Sequence, residues 1–412
     1  MAQSNNTGQP LPQNPFQATE SDCHEAFQCC LSFEAHHGWH EFSDTLARPT
    51  SENIMLKTSP QTAARILGYT LIYAPDSTGR LRLAREINDC NRDAEVFAGL
   101  AHLYTFGFIR IFRNPKGPTP STSPLLSPRK SFEDEASGQE ANVLRAGSTP
   151  SELKKRVSVL NRLRHPKWRP PAQVLLREDY KCAFTGRTDR DTLIARRAAN
   201  PSDVLVPAPV STAHVEMAHI ISQSISTGVE GLTDNAKAKL QWYGSAAALI
   251  TRFSGTDVHV LLGGDTIHTP LNTMALSHDS HKDFDQLEVY LEPDLDEQLN
   301  PIPDHYKLKT FPGWEFLLEA SKSPVVFKAG QGDDGTAIPT PSPKLLALHA
   351  AAAQIAHMSA AAEILDRYEM DEDSGGTGLS AGDTDMAASH VKYFQLVRAL
   401  HDVKRARERP DD

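Results

Sequence analysis

No stretch of the 412 residues offers an unbroken apolar run of the roughly 18 positions that a membrane-crossing helix requires. The opening segment, MAQSNNTGQPLPQNP, carries neither a basic cluster nor an apolar core. It is therefore not expected to act as a secretory leader. Cysteine is scarce and odd in number, five in all. That excludes a disulfide framework as the source of stability and points to a reducing compartment. The expected location is intracellular, nucleus or cytoplasm, with no membrane partner and no secretion. An excess of positive charge is also missing: 42 Lys and Arg face 52 Asp and Glu, for a net charge of −10. A globally basic nucleic-acid binder is thereby excluded, and any contact with phosphate must come from a local patch. No internal repeat is present. At 39% hydrophobic residues the chain can bury a core, and its length allows two or three domains.

Composition shifts divide the chain. Residues 1–19 are polar, Pro-containing and aperiodic, and are expected to be disordered. Residues 20–113 read as a small mixed α/β domain. In it, Ser59-Pro60 marks a helix start and GYTLIYAP (68–75) reads as a strand. Val96, Leu100, Leu103 and Tyr104 form one helix face, and FGFIRIF (106–112) ends the block as a strand or a helix end. Residues 114–150 are a Pro/Ser linker with too little apolar surface to fold. A unit over 151–328 follows, opened by a basic helix. An insertion at 228–268, with Leu240, Trp242, Tyr243, Ala247, Leu249, Ile250 and Phe253, is expected to pack as extra helix. LEVYLEP (287–293) and HYKLKTF (305–311) read as hairpin strands. Residues 329–343 read as a Gly/Pro linker. Over 344–412, C-terminal helices are expected, the first started by Ser342-Pro343 with Leu345, Leu348, Ile355 and Met358 on one face. An acidic Gly-rich break at 371–385 precedes a last helix from Ala388 to about Arg409.

The positive charge that exists is concentrated. Residues 151–190 hold eleven Lys or Arg against four acids, a local excess of +7. Such a segment suits phosphate tracking, with Lys154, Lys155 and Arg156 as its leading edge. Ordinary solvation of a helix face explains it equally well.

Chemistry-bearing residues cluster after that segment. REDYKCAFTG (177–186) is followed by AHIISQS (218–224), then PLNTMAL, then HDSHKDFD. His219 stands at the end of an apolar strand-like run. A neutral imidazole titrates near working pH and suits a general base. Asn272 precedes His281 by nine positions. His281 and Asp285, at i and i+4, share one helix face, and imidazole plus carboxylate suits a divalent metal. Cys182 has Thr185 where a zinc knuckle would need a second cysteine, so it reads as a small core residue. Cys23, Cys29, Cys30, His36, His37 and His40 have metal-binding atoms but no familiar zinc spacing.

These four elements in order resemble the HNH endonuclease family, and in detail its fungal branch. The resemblance covers 177–312 most strongly. It implies an α+β fold: a central ββα-metal (HNH-like) nuclease domain with a helical insertion, flanked by the small mixed N-terminal domain and the C-terminal helices. It implies metal-dependent hydrolysis of phosphodiester bonds in nucleic acid, DNA before RNA, with one divalent ion (Mg, Mn, Zn or Ni). By the same resemblance His219 is the base, Asn272 fixes the loop and the histidine tautomer, and His281 and Asp285 hold the metal. Phe284 would anchor the helix to the hairpin. Ala218 departs from the wider family, which often places a metal ligand there. Glu216, on the same strand face as Ala218, could substitute as a ligand only if the strand bends. His278 is a further candidate ligand, and Arg177 is a candidate phosphate contact or a helix-end cap. The alternative is a catalytically inactive nucleic-acid-binding or protein-interaction module on the same scaffold.

Overall fold

The computed structural model describes residues 8–35, 60–113, 172–199, 211–222, 225, 234–258, 267–332 and 335–366. The segment expected as a basic helix, with Lys154, Lys155 and Arg156, lies outside the described residues. So do the 114–150 linker, His36, His37 and His40, the acidic break and the last helix. The described chain is mixed α+β, mostly helical, with small sheets. Most of its buried apolar residues form one continuous cluster from Leu11 to Leu365. No described helix is long and apolar enough to cross a membrane.

The N-terminal block is helical throughout its described residues. Helix α1 (Ser21–Ala35) buries Cys23, Ala26, Phe27, Cys30 and Phe33, the i, i+3, i+4, i+7 face of an amphipathic helix. Helix α2 (Pro60–Tyr73) begins at the proline as expected but runs through residues 68–73. The expected strand is therefore corrected to helix. Ile66, Leu67, Thr70 and Leu71 are fully buried, at one-turn spacing against α1. Tertiary burial overrides their β-branched and aromatic propensity. Helix α3 (Ser77–Asp89) is N-capped by Asp76, whose carboxylate accepts from the Thr78 and Gly79 amides. Gly79 permits a close crossing: a Cβ there would stand 2.1 Å from the Phe253 carbonyl oxygen. Helix α4 (Ala94–Tyr104) confirms the expected face. It continues through one π turn, Thr105–Ile109, into Arg110–Phe112, so FGFIRIF prolongs a helix.

The expected disorder of 1–19 is also corrected for residues 8–19. Leu11 and Phe16 are buried, and the Leu11 amide donates to both Glu34 carboxylate oxygens at 3.1 Å. The Gln9 amide donates to the Met358 carbonyl at 2.7 Å. Two apolar anchors and side-chain partners for the backbone order a segment that has no periodicity of its own.

The motif region follows. Helix α5 (Ala172–Arg177) leads into β1 (Thr188–Asp189), helix α6 (Arg190–Ala199) and β2 (Thr212–Ala213), which pairs parallel with β1. Strand β3 (Val215–His219) pairs antiparallel with β4 (Thr273–Ser277), with His219 opposite Thr273. Between them the insertion forms helix α7 (Asp234–Ser254), as expected. Its Tyr243, Ala247, Leu249, Ile250 and Phe253 are buried. A buried ion pair from Arg252 to Glu86, whose other oxygen accepts from the Tyr104 hydroxyl, ties α7 to α3 and α4. Helix α8 (His278–Asp285) follows β4 directly. Strands β5 (Val289–Leu295) and β6 (Pro301–Thr310) form the expected hairpin, extended by β7 (Val325–Val326).

Within residues 329–343 the expected linker contains a two-stranded ribbon, β8 (Gly330–Gln331) with β9 (Ala337–Ile338), packed on α5. Gly332 and Gly335 serve the connection between the two strands, the Gly332 amide donating to the Thr336 carbonyl at 2.8 Å. Helix α9 (Pro343–Ser359) starts at the expected proline. It buries Leu345, Leu348, Ile355 and the alanines from 350 to 353 against α2 and β5.

Candidate active site

Two short strands and one helix carry the scattered motif residues. Phe284 holds α8 in place: it is fully buried, lies edge-to-face with Phe184 at 5.9 Å, and stacks on His349 of α9 at 3.7 Å. His349 Nε2 also lies 3.2 Å from the Phe284 carbonyl oxygen. The opening KCAFTG loop is fastened to β4 by the Ala183 amide, which donates to the Ala275 carbonyl at 2.8 Å. Cys182 is fully buried, and its sulfur accepts from the Thr185 amide and approaches Ser277 Oγ. It is a small core residue, as the missing second cysteine suggests.

Helix α8 presents His281 and Asp285 on one face, with His281 Nε2 3.3 Å from Asp285 Oδ2. Across from them stands Glu216 of β3. Its Oε2 lies 3.0 Å from His281 Nδ1 and its Oε1 lies 3.0 Å from His278 Nδ1. Burial pushes the Glu216 carboxyl upward, but hydrogen bonds from His281 and His278 outweigh it and hold the group below the usual range. Glu216 thus reaches the motif helix across the hairpin without any break in the β3 ladder. Ala218, two residues on and fully buried, contributes only a methyl group.

His219 closes β3. Its Nε2 lies 2.9 Å from Nδ1 of His268, in the turn before β4. Burial, then the nearby His268 and His281, lower its pKa to about 3. It is therefore neutral at physiological pH with its lone pair unprotonated, but a weaker base than the expected imidazole that titrates near working pH. Sequence reasoning missed His268, although a histidine four positions before the motif asparagine is a readable signal.

Asn272 is fully buried in a 3-10 turn, Pro270–Asn272, immediately before β4. Its Oδ1 accepts from the Ile221 amide at 2.8 Å. Its Nδ2 donates to the carbonyls of Ile221 and Ile267 at 3.0 and 2.9 Å. The side chain fixes the backbone on both sides of the site rather than touching the His219 ring.

Arg177 is buried. Its buried guanidinium donates to the carbonyls of Pro270, Pro339 and Thr273 and pairs with Glu178 at 2.7 Å. The expected phosphate contact is replaced by a clamp on the turn that carries Asn272. Burial raises the Glu178 carboxyl to about 7 against the opposing pull of Arg177.

Among the described residues no three His, Cys, Asp or Glu side chains already stand as a cation cage. The pair on α8 nevertheless fits one. Two ligands about 2.1 Å from a shared divalent ion stand about 3 Å apart, which matches the spacing of His281 Nε2 and Asp285 Oδ2. Glu216 on Nδ1 would then orient the ring from behind, the usual partner of a metal-bound imidazole.

Residues 182–292 match the family model described as HNH endonuclease. The match holds for the family and does not extend to a fungal branch. No curated protein and no solved structure matches the chain.

Proposed function

We propose that the HNH endonuclease domain at 182–292 hydrolyses phosphodiester bonds of nucleic acid, DNA before RNA, with His219 as general base. What supports this reading is that one strand–strand–helix unit carries a buried neutral histidine and, on its helix, a carboxylate–imidazole pair at metal-ligand spacing. His219 would take a proton from the attacking water. Asn272 would hold the loop that aims it, and Glu216 would hold His281 in one ring orientation. His281 and Asp285 would bind one divalent ion (Mg, Mn, Zn or Ni). Such an ion supplies charge stabilisation at the phosphorane and the leaving oxygen. Lys154, Lys155 and Arg156 would steer the strand toward the site by neutralising phosphates.

Nicking of supercoiled plasmid across Mg, Mn, Ni and Zn tests the reading. Wild-type protein should nick, and His219→Ala should lose on the order of 100-fold or more while folding and binding DNA normally. Equal nicking by both would assign the activity to another base or a contaminant. Neutralising Lys154, Lys155 and Arg156 together should flatten the salt dependence of binding for all sequences alike. An unchanged slope in fluorescence anisotropy would leave those residues as a solvated surface.

The second reading, a catalytically inactive nucleic-acid-binding or protein-interaction module, is favoured by one observation. Ala218 puts a methyl group where the wider family often has a metal ligand, and that methyl is fully buried. Tight DNA binding with no nicking under any metal would favour this module over the nuclease.

A further inference from the structure

The His219–His268 contact poses a question that geometry can answer. A neutral imidazole has one N–H and one lone pair. Burial keeps His219 neutral, so the 2.9 Å contact between its Nε2 and His268 Nδ1 admits two arrangements. If His268 donates, the one lone pair of His219 is consumed and the ring has nothing with which to accept a proton. If His219 donates, its lone pair is on Nδ1. Among the described residues that nitrogen makes no hydrogen bond.

The two rings are also held by a common support. Asn272 Nδ2 donates to the carbonyl of Ile267, the residue before His268, and the same amide group grips Ile221, two residues after His219. The segments that carry the two histidines are therefore pinned to one side chain, which itself is fully buried. Such pinning fixes the ring–ring distance more tightly than two independent loops could.

We propose that His268 is a positioning residue for the hydrolysis: its Nδ1 accepts the Nε2 proton of His219 and so fixes the tautomer whose lone pair lies on Nδ1. This rests on the reading of His219 as the base. Nδ1 of His219 then takes a proton from water as the water oxygen bonds to phosphorus. The bond from phosphorus to the leaving oxygen breaks, and that oxygen leaves with a proton from solvent. His268 gains and loses no proton in this sequence; it acts through the neighbouring ring.

The test uses the shape of the replacement side chain. His268→Asn sets an amide oxygen near the position of Nδ1 and can still accept from His219. His268→Gln sets its amide near the position of Nε2, out of place for this contact. His268→Phe keeps a ring without a lone pair. We expect the Phe and Gln variants to lose about 10-fold or more in kcat, part of the base contribution, with KM for plasmid unchanged. The Asn variant should recover to within about threefold of wild type, and the thermal midpoints of all three should agree with wild type. A Phe variant with wild-type kcat, or an Asn variant no better than Phe, overturns the proposal.

A second measurement needs no turnover. Long-range 1H–15N correlation of the His219 ring should show the Nε2–H tautomer in wild type and a mixture in His268→Phe. A Nδ1–H tautomer in wild type overturns the proposal on its own. Wild-type protein that nicks under none of Mg, Mn, Ni and Zn would instead overturn the nuclease reading, while the ring spectrum still scores the contact.

Discussion

Asn272 grips the backbone of Ile221 from both sides, accepting from its amide at 2.8 Å and donating to its carbonyl at 3.0 Å. That pair of bonds joins the turn before β4 to the loop after β3, two segments 51 residues apart in sequence. Replacing Asn272 by Ala leaves the Ile221 amide and carbonyl and the Ile267 carbonyl without this partner, in a fully buried place. Each such orphaned group costs about 1–3 kcal/mol. Asn272→Ala should therefore lower unfolding stability by about 3 kcal/mol or more, read by urea denaturation. Stability within about 0.5 kcal/mol of wild type would mean that the loop is held by something else.

Arg177 should behave as a structural residue, not as a phosphate contact. Its planar fork serves three carbonyls and Glu178 at once, which an ammonium group cannot reproduce. Arg177→Met removes one partner of a buried ion pair, a loss of about 3–5 kcal/mol. The salt dependence of DNA binding by the fraction that remains folded should match wild type. A flattened salt slope with unchanged stability would restore the phosphate role.

Glu216 should tune the metal from behind His281. Glu216→Gln keeps the size of the side chain but replaces a carboxylate on His281 Nδ1. Loss of such a partner weakens metal affinity about 10- to 100-fold. Titration calorimetry with Mn and Zn should record that drop without a change in the helical circular dichroism signal. Unaltered affinity would detach Glu216 from the metal site.

His349 gives the fold a pH dependence. Burial lowers its pKa to about 3, against the opposing hydrogen bond to the Phe284 carbonyl. The folded-state value is depressed below the ordinary one of about 6.5, so the unfolded chain binds a proton first as pH falls. The contribution is fully present above about 6.5 and is lost progressively from there toward about 3, at about 1.4 kcal/mol per pH unit. His349→Phe keeps the stack on Phe284 and removes the proton site. Between pH 7 and pH 5 the variant should lose about 2 kcal/mol less than wild type, by urea denaturation at both values. Identical losses would show that His349 is not buried against α8.

Much of the site is legible along the chain because each part is a local pattern. The i, i+4 spacing puts His281 and Asp285 on one helix face by the pitch of the helix alone. Pro343 in a first helical turn and the alternation from Lys307 to Thr310 are equally local, and α9 and β6 follow them. What failed was decided at long range. Residues 68–73 have strand-like side chains, yet they lie in α2 because α1 and α9 cover that surface as a helix face. Leu11 and Phe16 order the N-terminal segment only because Glu34 and Met358 supply backbone partners. Glu216 meets His281, and His268 meets His219, only because β3 pairs with β4 across the α7 insertion. Residue type and spacing along the chain determined which chemical groups the protein carries. Which atoms face one another was decided by strand register and burial, since a contact between residues 49 or 65 positions apart depends on loop closure that no local window contains.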